Sequence, residues 1–249
     1  MLVHQAYRPT TIDYIRSGIA DDLVKGLERW RLWTRLGIFD VRRRYMRTTI
    51  GPFWTTLSVG VFASVLSIVY AQIWNMPVST FFPYFVAGYI TWTLLVTFVL
   101  ESCVMFVGSE AILRNIPIPL TFIACSVITR NVIVFAHHLV VYFGVALFFR
   151  VPFYETVLLI IPALLLLSIN AWGIGIILGT LCTRYRDVTQ VITVVTNLLF
   201  FLTPVIWMPA QVTGWARFYL VELNPFYHFI EVVRHCPDPR WSGVAQLSS

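Results

Sequence analysis

Five long apolar segments dominate this sequence and constrain its fold more than any other feature. They run over residues 53–74, 83–107, 119–149, 156–180 and 188–208. A helix needs about 20 apolar residues to cross a hydrocarbon core about 30 Å thick, and each segment reaches that length. The composition agrees, because 58% of the residues are hydrophobic and only 12% are charged. The sequence therefore predicts an all-α membrane protein with five transmembrane helices and no soluble domain between them.

Basic residues lie mostly on one side of the predicted spans. Of the 18 Lys and Arg, ten fall in the first fifty residues, which precede the first span. The connections after the second and fourth spans carry Arg114, Arg184 and Arg186, whereas the connection after the first span carries no basic residue. Because short basic connections stay in the cytoplasm, this asymmetry predicts that the N terminus and those two connections lie inside.

A cluster of arginines stands directly ahead of the first span. It comprises Arg42, Arg43, Arg44 and Arg47. Residues 28–50 also place Leu32, Leu36 and Met46 on one helical stripe, which predicts an amphipathic helix in the headgroup plane, with the arginines bound to lipid phosphates. A plain topological anchor with no other role explains the same arginines. Nucleic acid is not an expected partner, because the basic residues adjoin apolar sequence and membrane lipids are nearer.

Few ionisable side chains fall inside the predicted spans. Glu101 and Arg130 lie near the cytoplasmic ends of the second and third spans, where they can pair or reach headgroups. His137 and His138 point about 100° apart on a helix and have no Cys or carboxylate beside them, so no metal site is expected. An intramembrane glycosyl- or acyltransferase that uses one of these histidines is an alternative, but Arg130 is the one nearby group able to assist it.

The sequence contains no motif for binding a cofactor. A phosphate loop of the form G-x-x-x-x-G-K-[ST] is missing, so the chain is not expected to bind or hydrolyse ATP. Its four cysteines stand far apart without a C-x-x-C pair, which indicates free thiols. Gly175 and Gly179 form a G-x-x-x-G pair in the fourth span, which predicts close packing against another helix.

Aromatic residues make up 16% of the chain, and many surround the first external turn. Trp74, Tyr84, Tyr89 and Trp92 belong to this group. A belt of aromatic rings at the membrane interface explains them. Rings that face a conduit would instead stack on sugars, and the sequence leaves both interpretations open.

Residues 203–234 are broken into pieces too short to span a bilayer. Pro204, Pro209 and Pro225 interrupt any helix there, and Trp207 is typical of the interface. Non-helical backbone is tolerated at membrane depth only inside protein or beside water. This pattern predicts a re-entrant external segment after the fifth helix, with Pro204, Trp207 and Pro209 as gate candidates. A loose external loop is the alternative.

Four short motifs follow one another along the chain. They are R-R-R-Y-M-R-T-T-I-G-P-F-W from Arg42, R-N-I-P-I-P from Arg114, R-Y-R-D-V from Arg184, and T-P-V-I-W from Thr203 followed by Asn224-Pro225. In this order they resemble the permease subunit of type 2 ABC exporters that move polysaccharides, including O-antigen, capsule and teichoic acid precursors. The resemblance covers residues 28–234.

The resemblance implies a transporter subunit and not an enzyme. Such a permease works in a bacterial inner membrane as a homodimer with a separate ABC ATPase, and it exports a lipid-linked polysaccharide. The ATPase would bind the ATP and would contact the cytoplasmic loops. The candidates for these contacts are Glu110, Arg114, Arg184, Arg186 and Asp187. Helix capping explains Asp187 as well, and a drug exporter of the same ABC type is an alternative function.

The resemblance also divides the chain into three parts. Residues 1–27 would form a polar cytoplasmic segment, 28–234 the permease transmembrane domain, and 235–249 a short polar tail. Family members carry a sixth span after the N-P segment, but the tail has no apolar run near 20 residues. We therefore expect an external C terminus and impaired export, as in a truncated or frame-shifted gene product.

Overall fold

The computed structural model describes residues 19–46, 53–151 and 158–235, which form helices and the connections between them. The helices are α1 (Ile19–Glu28), α2 (Trp30–Tyr45), α3 (Phe53–Ile73), α4 (Val78–Gly108), α5 (Glu110–Asn115), α6 (Leu120–Phe148), α7 (Ile160–Arg184), α8 (Asp187–Leu202), α9 (Trp215–Arg217) and α10 (Pro225–His235). A 3-10 turn covers Pro209–Gln211, and α9 continues as a π-helical turn, Phe218–Glu222.

No strand occurs in the described ranges, and the prediction of an all-α fold is confirmed. Arg47 and residues 236–249 of the predicted polar tail lie outside the described residues.

Four of the five predicted spans are helices long and apolar enough to cross a bilayer. They are α3, α4, α6 and α7, with 21, 31, 29 and 25 residues. The fifth predicted span, 188–208, is too long, because α8 has only 16 residues and ends at Leu202. At 1.5 Å per residue it covers about 24 Å. Pro204 lacks an N–H group and its ring clashes with the preceding turn, so the helix stops just before it.

The helix α4 lies at the centre of the bundle. In its most apolar stretch 56% of the residues are buried, against 17% to 28% in α3, α6 and α7. The other three helices therefore keep most of their apolar surface on the outside, where lipid tails or another subunit can cover it.

Two glycines bring α7 close to α4. A Cβ atom at Gly175 would lie 2.9 Å from the Ser102 hydroxyl, and one at Gly179 would lie 2.8 Å from the Met105 and Phe106 side chains. These spaces are too small for any larger residue without movement, so the predicted packing role of the G-x-x-x-G pair is confirmed. Gly175 faces Ser102, and Gly179, four residues later, faces Phe106, which is four residues after Ser102. The two helices therefore run in the same direction and end at the same side of the bundle.

That side carries most of the arginines and is called the arginine-rich end. It holds α5, which follows α4, and the turn between α7 and α8. The first half of α6 lies here too, against α1 and α2. A Cβ atom at Gly26 would lie 2.6 Å from the Thr121 side chain, and one at Gly37 would lie 2.9 Å from the Ser126 carbonyl oxygen.

The amphipathic helix predicted over 28–50 corresponds to α2, and its apolar side chains divide between two surfaces. Leu36 packs against the buried cluster around Phe122 of α6. Leu32 and Met46 are 55% and 72% exposed, as expected for side chains that meet lipid. One surface of α2 therefore binds the bundle, and the other is available to the membrane.

Replacing Gly179 by Ala should lower the melting temperature of the detergent-solubilised protein. The added methyl group would push against Met105 and the Phe106 ring, and overpacking of this kind costs about 1–3 kcal/mol. Gly173→Ala is the matched control on the same helix, because its Cβ would meet no atom within 4 Å. Equal melting temperatures for the two variants would contradict the close packing of α4 and α7.

Candidate functional site

Four charged side chains from three helices form a cluster at the arginine-rich end, called the α2 ion cluster. Arg130 of α6 donates to Glu101 of α4 at 2.7 Å and to Asp40 of α2 at 3.1 Å. Arg44 of α2 donates to the other carboxylate oxygen of Glu101 at 3.0 Å. Of the two roles that the sequence left open for Glu101 and Arg130, pairing or contact with headgroups, the structure shows pairing, whereas sequence reasoning missed Asp40. The sequence did contain a hint of its role, because Asp40 lies four residues before Arg44 and residues four apart share one face of a helix.

Asp22 of α1 caps the N terminus of α6. One carboxylate oxygen accepts the N–H of Leu120 at 2.9 Å, and the other accepts the N–H and hydroxyl of Thr121 at 3.0 and 2.7 Å. The first N–H groups of a helix have no partner inside it, and a negative charge is favoured there. Asp22 thereby ties α1 to the connection that carries α5. Sequence reasoning missed it, because its partners are about a hundred residues away.

The five candidates for ATPase contact occupy two turns at the arginine-rich end. Glu110 and Arg114 lie on α5, pair with each other at 2.5 Å and are 54% and 77% exposed. Arg184 ends α7, while Arg186 and Asp187 begin α8, and all three are exposed. Both turns therefore present charged side chains on the same end of the molecule.

At the opposite end, the chain folds back as a helical hairpin, residues 215–235. Its first arm is α9 with the π-helical turn, and its second arm is α10. Asn224 forms the turn between them: its amide donates to the Thr203 hydroxyl at 3.0 Å, and its carbonyl accepts the N–H of Phe226 at 3.0 Å. Asn at the cap followed by Pro225 is a favoured helix start.

The turn of the hairpin reaches about halfway along α4. Phe226, directly after the turn, has its ring centroid 5.6 Å from that of Trp92. Trp92 lies about 21 Å along α4 from Val78, at 1.5 Å per residue. The segment thus returns deep into the bundle, as the prediction of a re-entrant segment requires, and is not a loose loop.

Arg234, near the end of α10, is 1% exposed and joins three parts of the chain. It donates to the Tyr84 hydroxyl at 2.7 Å, to the Pro204 carbonyl at 2.9 Å and to the Val205 carbonyl at 3.3 Å. Its guanidinium carbon lies 3.7 Å from the centroid of the Tyr84 ring. These residues are called the Arg234 cluster. Gly88 makes room for it, because a Cβ there would lie 2.8 Å from the guanidinium carbon.

The three gate candidates lie in the segment between α8 and the hairpin. Pro204 offers its carbonyl to Arg234. The indole N–H of Trp207 donates to the Phe201 carbonyl at 3.0 Å, and Pro209 opens the 3-10 turn. The segment is therefore fixed by specific hydrogen bonds at this end of the bundle.

The four candidates for the substrate path occupy different surroundings. Tyr84 and Trp92 are 4% and 6% exposed and pack inside the bundle. Trp92 lies 5.6 Å from Phe200 of α8, measured between ring centroids. Tyr89 is half-buried, and Trp74 is 38% exposed. Of the four, Trp74 and Tyr89 are the ones accessible from outside the subunit.

Within the described ranges, the two histidines of α6 have no catalytic group beside them. The Nδ1 atom of His137 lies 2.7 Å from the Ile133 carbonyl oxygen, and His138 is buried. Arg130 is engaged by Glu101 and Asp40. Among the described residues, no three His, Cys, Asp or Glu side chains lie close enough to hold a metal ion. The described cysteines, Cys103, Cys125 and Cys182, are buried free thiols, as expected.

The arrangement of spanning helices, exposed charged turns and a returning hairpin agrees with the comparison to known families. The model of the family described as ABC-2 type transporter matches residues 33–236. The chain belongs to this family. This ABC-2 permease is a multi-pass membrane protein and the transmembrane subunit of an ABC exporter, and a bacterial inner membrane fits it. No curated protein is similar enough to match the chain.

The match to the family extends from α2 to the end of α10. It includes the two charged turns, the hairpin and the Arg234 cluster. α1 and its capping residue Asp22 lie outside it. Members of the family normally work with an ABC ATPase subunit, so the exposed turns at the arginine-rich end are the part of the ABC-2 permease to examine for that contact.

Replacing Asp22 by Ala should destabilise the ABC-2 permease by about 0.5–2 kcal/mol, the usual effect of losing a helix cap. Asp21→Ala is the matched control, because the ion pair that the described residues give Asp21 is with the exposed Lys25 on its own helix, at 2.6 Å. An exposed pair of that kind contributes about 0.3–0.5 kcal/mol. Thermal unfolding in detergent measures both, and an equal effect of the two substitutions would refute the capping role.

Proposed function

We propose that this ABC-2 permease exports a lipid-linked polysaccharide, of the O-antigen, capsule or teichoic acid class, across the bacterial inner membrane. The permease supplies the path, and a separate ATPase binds and hydrolyses ATP. The observation that carries the proposal is the distribution of the four sequence motifs. Those at Arg114 and Arg184 lie at the arginine-rich end, and Thr203 of the last motif accepts a hydrogen bond from Asn224 in the turn of the returning hairpin.

The arginine-rich end supports the proposed contact with the ATPase. Its excess of positive charge supports a cytoplasmic position for it, on the side where the ATPase would be. Glu110 and Arg114 on α5, with Arg186 and Asp187 at the start of α8, expose the charges that would meet the partner. The α2 ion cluster ties α2 to α4 and α6, and the Asp22 cap ties α1 to α6. Because α5 joins α4 to α6, a movement of α5 would be transmitted to several helices of the bundle.

A second copy of the permease is proposed to complete the path. Exposed apolar stripes on α3 and α8 support this pairing, because one subunit leaves them uncovered. On α3 the stripe consists of Leu57, Val61 and Val65, which are 50%, 56% and 55% exposed. On α8 it consists of Val191, Val194 and Leu198, which are 60%, 58% and 57% exposed. In the proposed dimer, Trp74 and Tyr89 could reach the path directly, whereas Tyr84 and Trp92 would be exposed only if the hairpin moved.

An exporter of apolar drugs within the same family is the second candidate. An apolar cleft of about 540 Å³, counted with its open mouth, lies between α4, α7 and α10. Leu95, Phe98, Leu167, Ile174 and Phe229 are among its lining residues. A small apolar molecule would fit this chemistry better than a sugar polymer would. The structure gives no comparable support to an intramembrane transferase, because Arg130 is held in ion pairs away from the histidines.

Export can be tested in a bacterial strain that lacks its own polysaccharide exporter. The permease would be expressed with its ATPase, and surface polysaccharide and dye efflux would be measured. We expect surface polysaccharide with the active ATPase, and none with an ATPase unable to hydrolyse ATP. Dye efflux without surface polysaccharide would favour the drug exporter.

Reversing the charge at Arg114 or Arg186, by substitution with Glu, should weaken binding of the ATPase about tenfold, since like charges would then face each other across the contact. Co-purification and permease-stimulated ATP turnover measure this effect. Arg217→Glu is the control, because Arg217 is an exposed arginine on the hairpin at the opposite end. Equal binding and turnover in all three variants would remove these turns from the proposed contact.

A further inference from the structure

We propose that the Arg234 cluster is a positioning device that holds the hairpin against α4, and that export requires its release. Arg234 acts through the hairpin and does not need to touch the substrate. The link to export rests on the proposed function, whereas the positioning role rests on the contacts alone. The position of these contacts, at the end opposite the charged turns, makes the hairpin an external gate.

One guanidinium group fixes three separate parts of the chain. Tyr84 belongs to α4, Pro204 and Val205 to the segment after α8, and Arg234 itself to α10. Side chains on a helix point back toward its N terminus, so Arg234 extends from the end of α10 into the middle of the bundle. Since Pro204 ends the regular helix, the carbonyls around it need donors from elsewhere. Arg234 supplies them only while α10 is seated.

Within the described residues, the charge of Arg234 meets a carboxylate only in one long ion pair. The carboxylate oxygen of Glu231 is 3.8 Å from its Nη1 atom, beyond hydrogen-bond distance. The remaining partners are a hydroxyl, two carbonyls and an aromatic ring, and its Nε makes no hydrogen bond within the described residues. Removing the arginine would leave the Pro204 and Val205 carbonyls and the Tyr84 hydroxyl without its donors, which destabilises the seated hairpin. The arginine itself regains hydration when it leaves, which reduces the difference in free energy between seated and released hairpins.

The two ends of α10 are attached differently. Asn224 binds the Thr203 side chain at the start of the helix, without contacting α4 in these hydrogen bonds. Arg234 near the end of the helix binds both the segment after α8 and Tyr84. Release of Arg234 therefore removes the hydrogen bond that ties the far end of α10 to α4 and leaves the apolar packing of Ile230 and Val233 there, while the Asn224 turn still holds. The geometry points to a pivot about Asn224.

A buried cysteine can report the release. Ile206 is 5% exposed beside the cluster, so Ile206→Cys, combined with Cys236→Ser, provides the reporter thiol. Maleimide labelling of the detergent-solubilised protein would be followed at this thiol and at native Cys103, Cys125 and Cys182. Arg234→Leu should raise the labelling rate of the reporter at least tenfold and leave the native thiols unreactive. An unchanged reporter would overturn the proposal, and so would labelling of the native thiols, which would mean a role in folding.

Gly88 provides an independent variant that keeps the arginine. Gly88→Ala should also raise the labelling rate, because the new methyl group overlaps the guanidinium. In the presence of Arg234→Leu the same substitution should add nothing, since the shorter side chain leaves space for it. Arg234→Lys keeps the charge and should restore part of the protection. Additive effects of Gly88→Ala and Arg234→Leu would contradict action through one cluster.

The connection to export is tested in the assembled complex with the ATPase. ATP should raise reporter labelling in the protein with Arg234 and should have no further effect in Arg234→Leu. A merely structural arginine would not produce this difference, and ATP-independent labelling would overturn the gating role. If labelling responds to ATP while no polysaccharide is exported, the gating role stands and the assignment of the substrate fails.

Discussion

In a bilayer every backbone polar group needs a partner from within the protein, and this requirement shapes the half of the structure that carries the hairpin. Regular helices satisfy it locally until Pro204 ends α8 about 24 Å from its start. From there the chain depends on side chains. Asn224 supplies the cap for α10, and Arg234 supplies donors to the Pro204 and Val205 carbonyls. The returning hairpin therefore supplies hydrogen-bond donors to the carbonyl groups that the early end of α8 leaves without helical partners.

The arginine-rich end meets the same requirement with charged groups that come from neighbouring helices. Asp22 satisfies the first N–H groups of α6, and the α2 ion cluster balances Arg44 and Arg130 against Asp40 and Glu101. These contacts are partly buried and fix the position of α1 and α2. The charges on α5 and at the start of α8 remain exposed, which leaves them free for a partner subunit. Fixed and available charges thus lie side by side at this end.

Sequence patterns predicted what depends on local periodicity and missed what depends on distant contacts. The apolar segments located α3, α4, α6 and α7, and the G-x-x-x-G pair identified a real packing contact. The length of α8 was overestimated because residues 205–208 are apolar and hydropathy continues past the proline. Asp22 carries no local signal for a partner about a hundred residues away. Arg234 did have a local signal, because it lies on the same buried face of α10 as Ile230 and Val233. A search for apolar patterns passes over it, because it treats an arginine as a solvent-exposed residue.

The seating of the hairpin also bears on which surface a substrate would meet. Tyr84 and Trp92 are covered in the seated state, one by Arg234 and the other by Phe226 and Phe200. A pivot about Asn224 moves the far end of α10 away from α4, which would uncover the Tyr84 ring and remove Arg234 from its hydroxyl, whereas Phe200 would still cover Trp92. An aromatic face beside a hydroxyl suits a sugar chain, which presents both apolar ring faces and hydroxyl groups. In the proposed exporter, the event that opens the external end would therefore also create the surface along which the polysaccharide leaves.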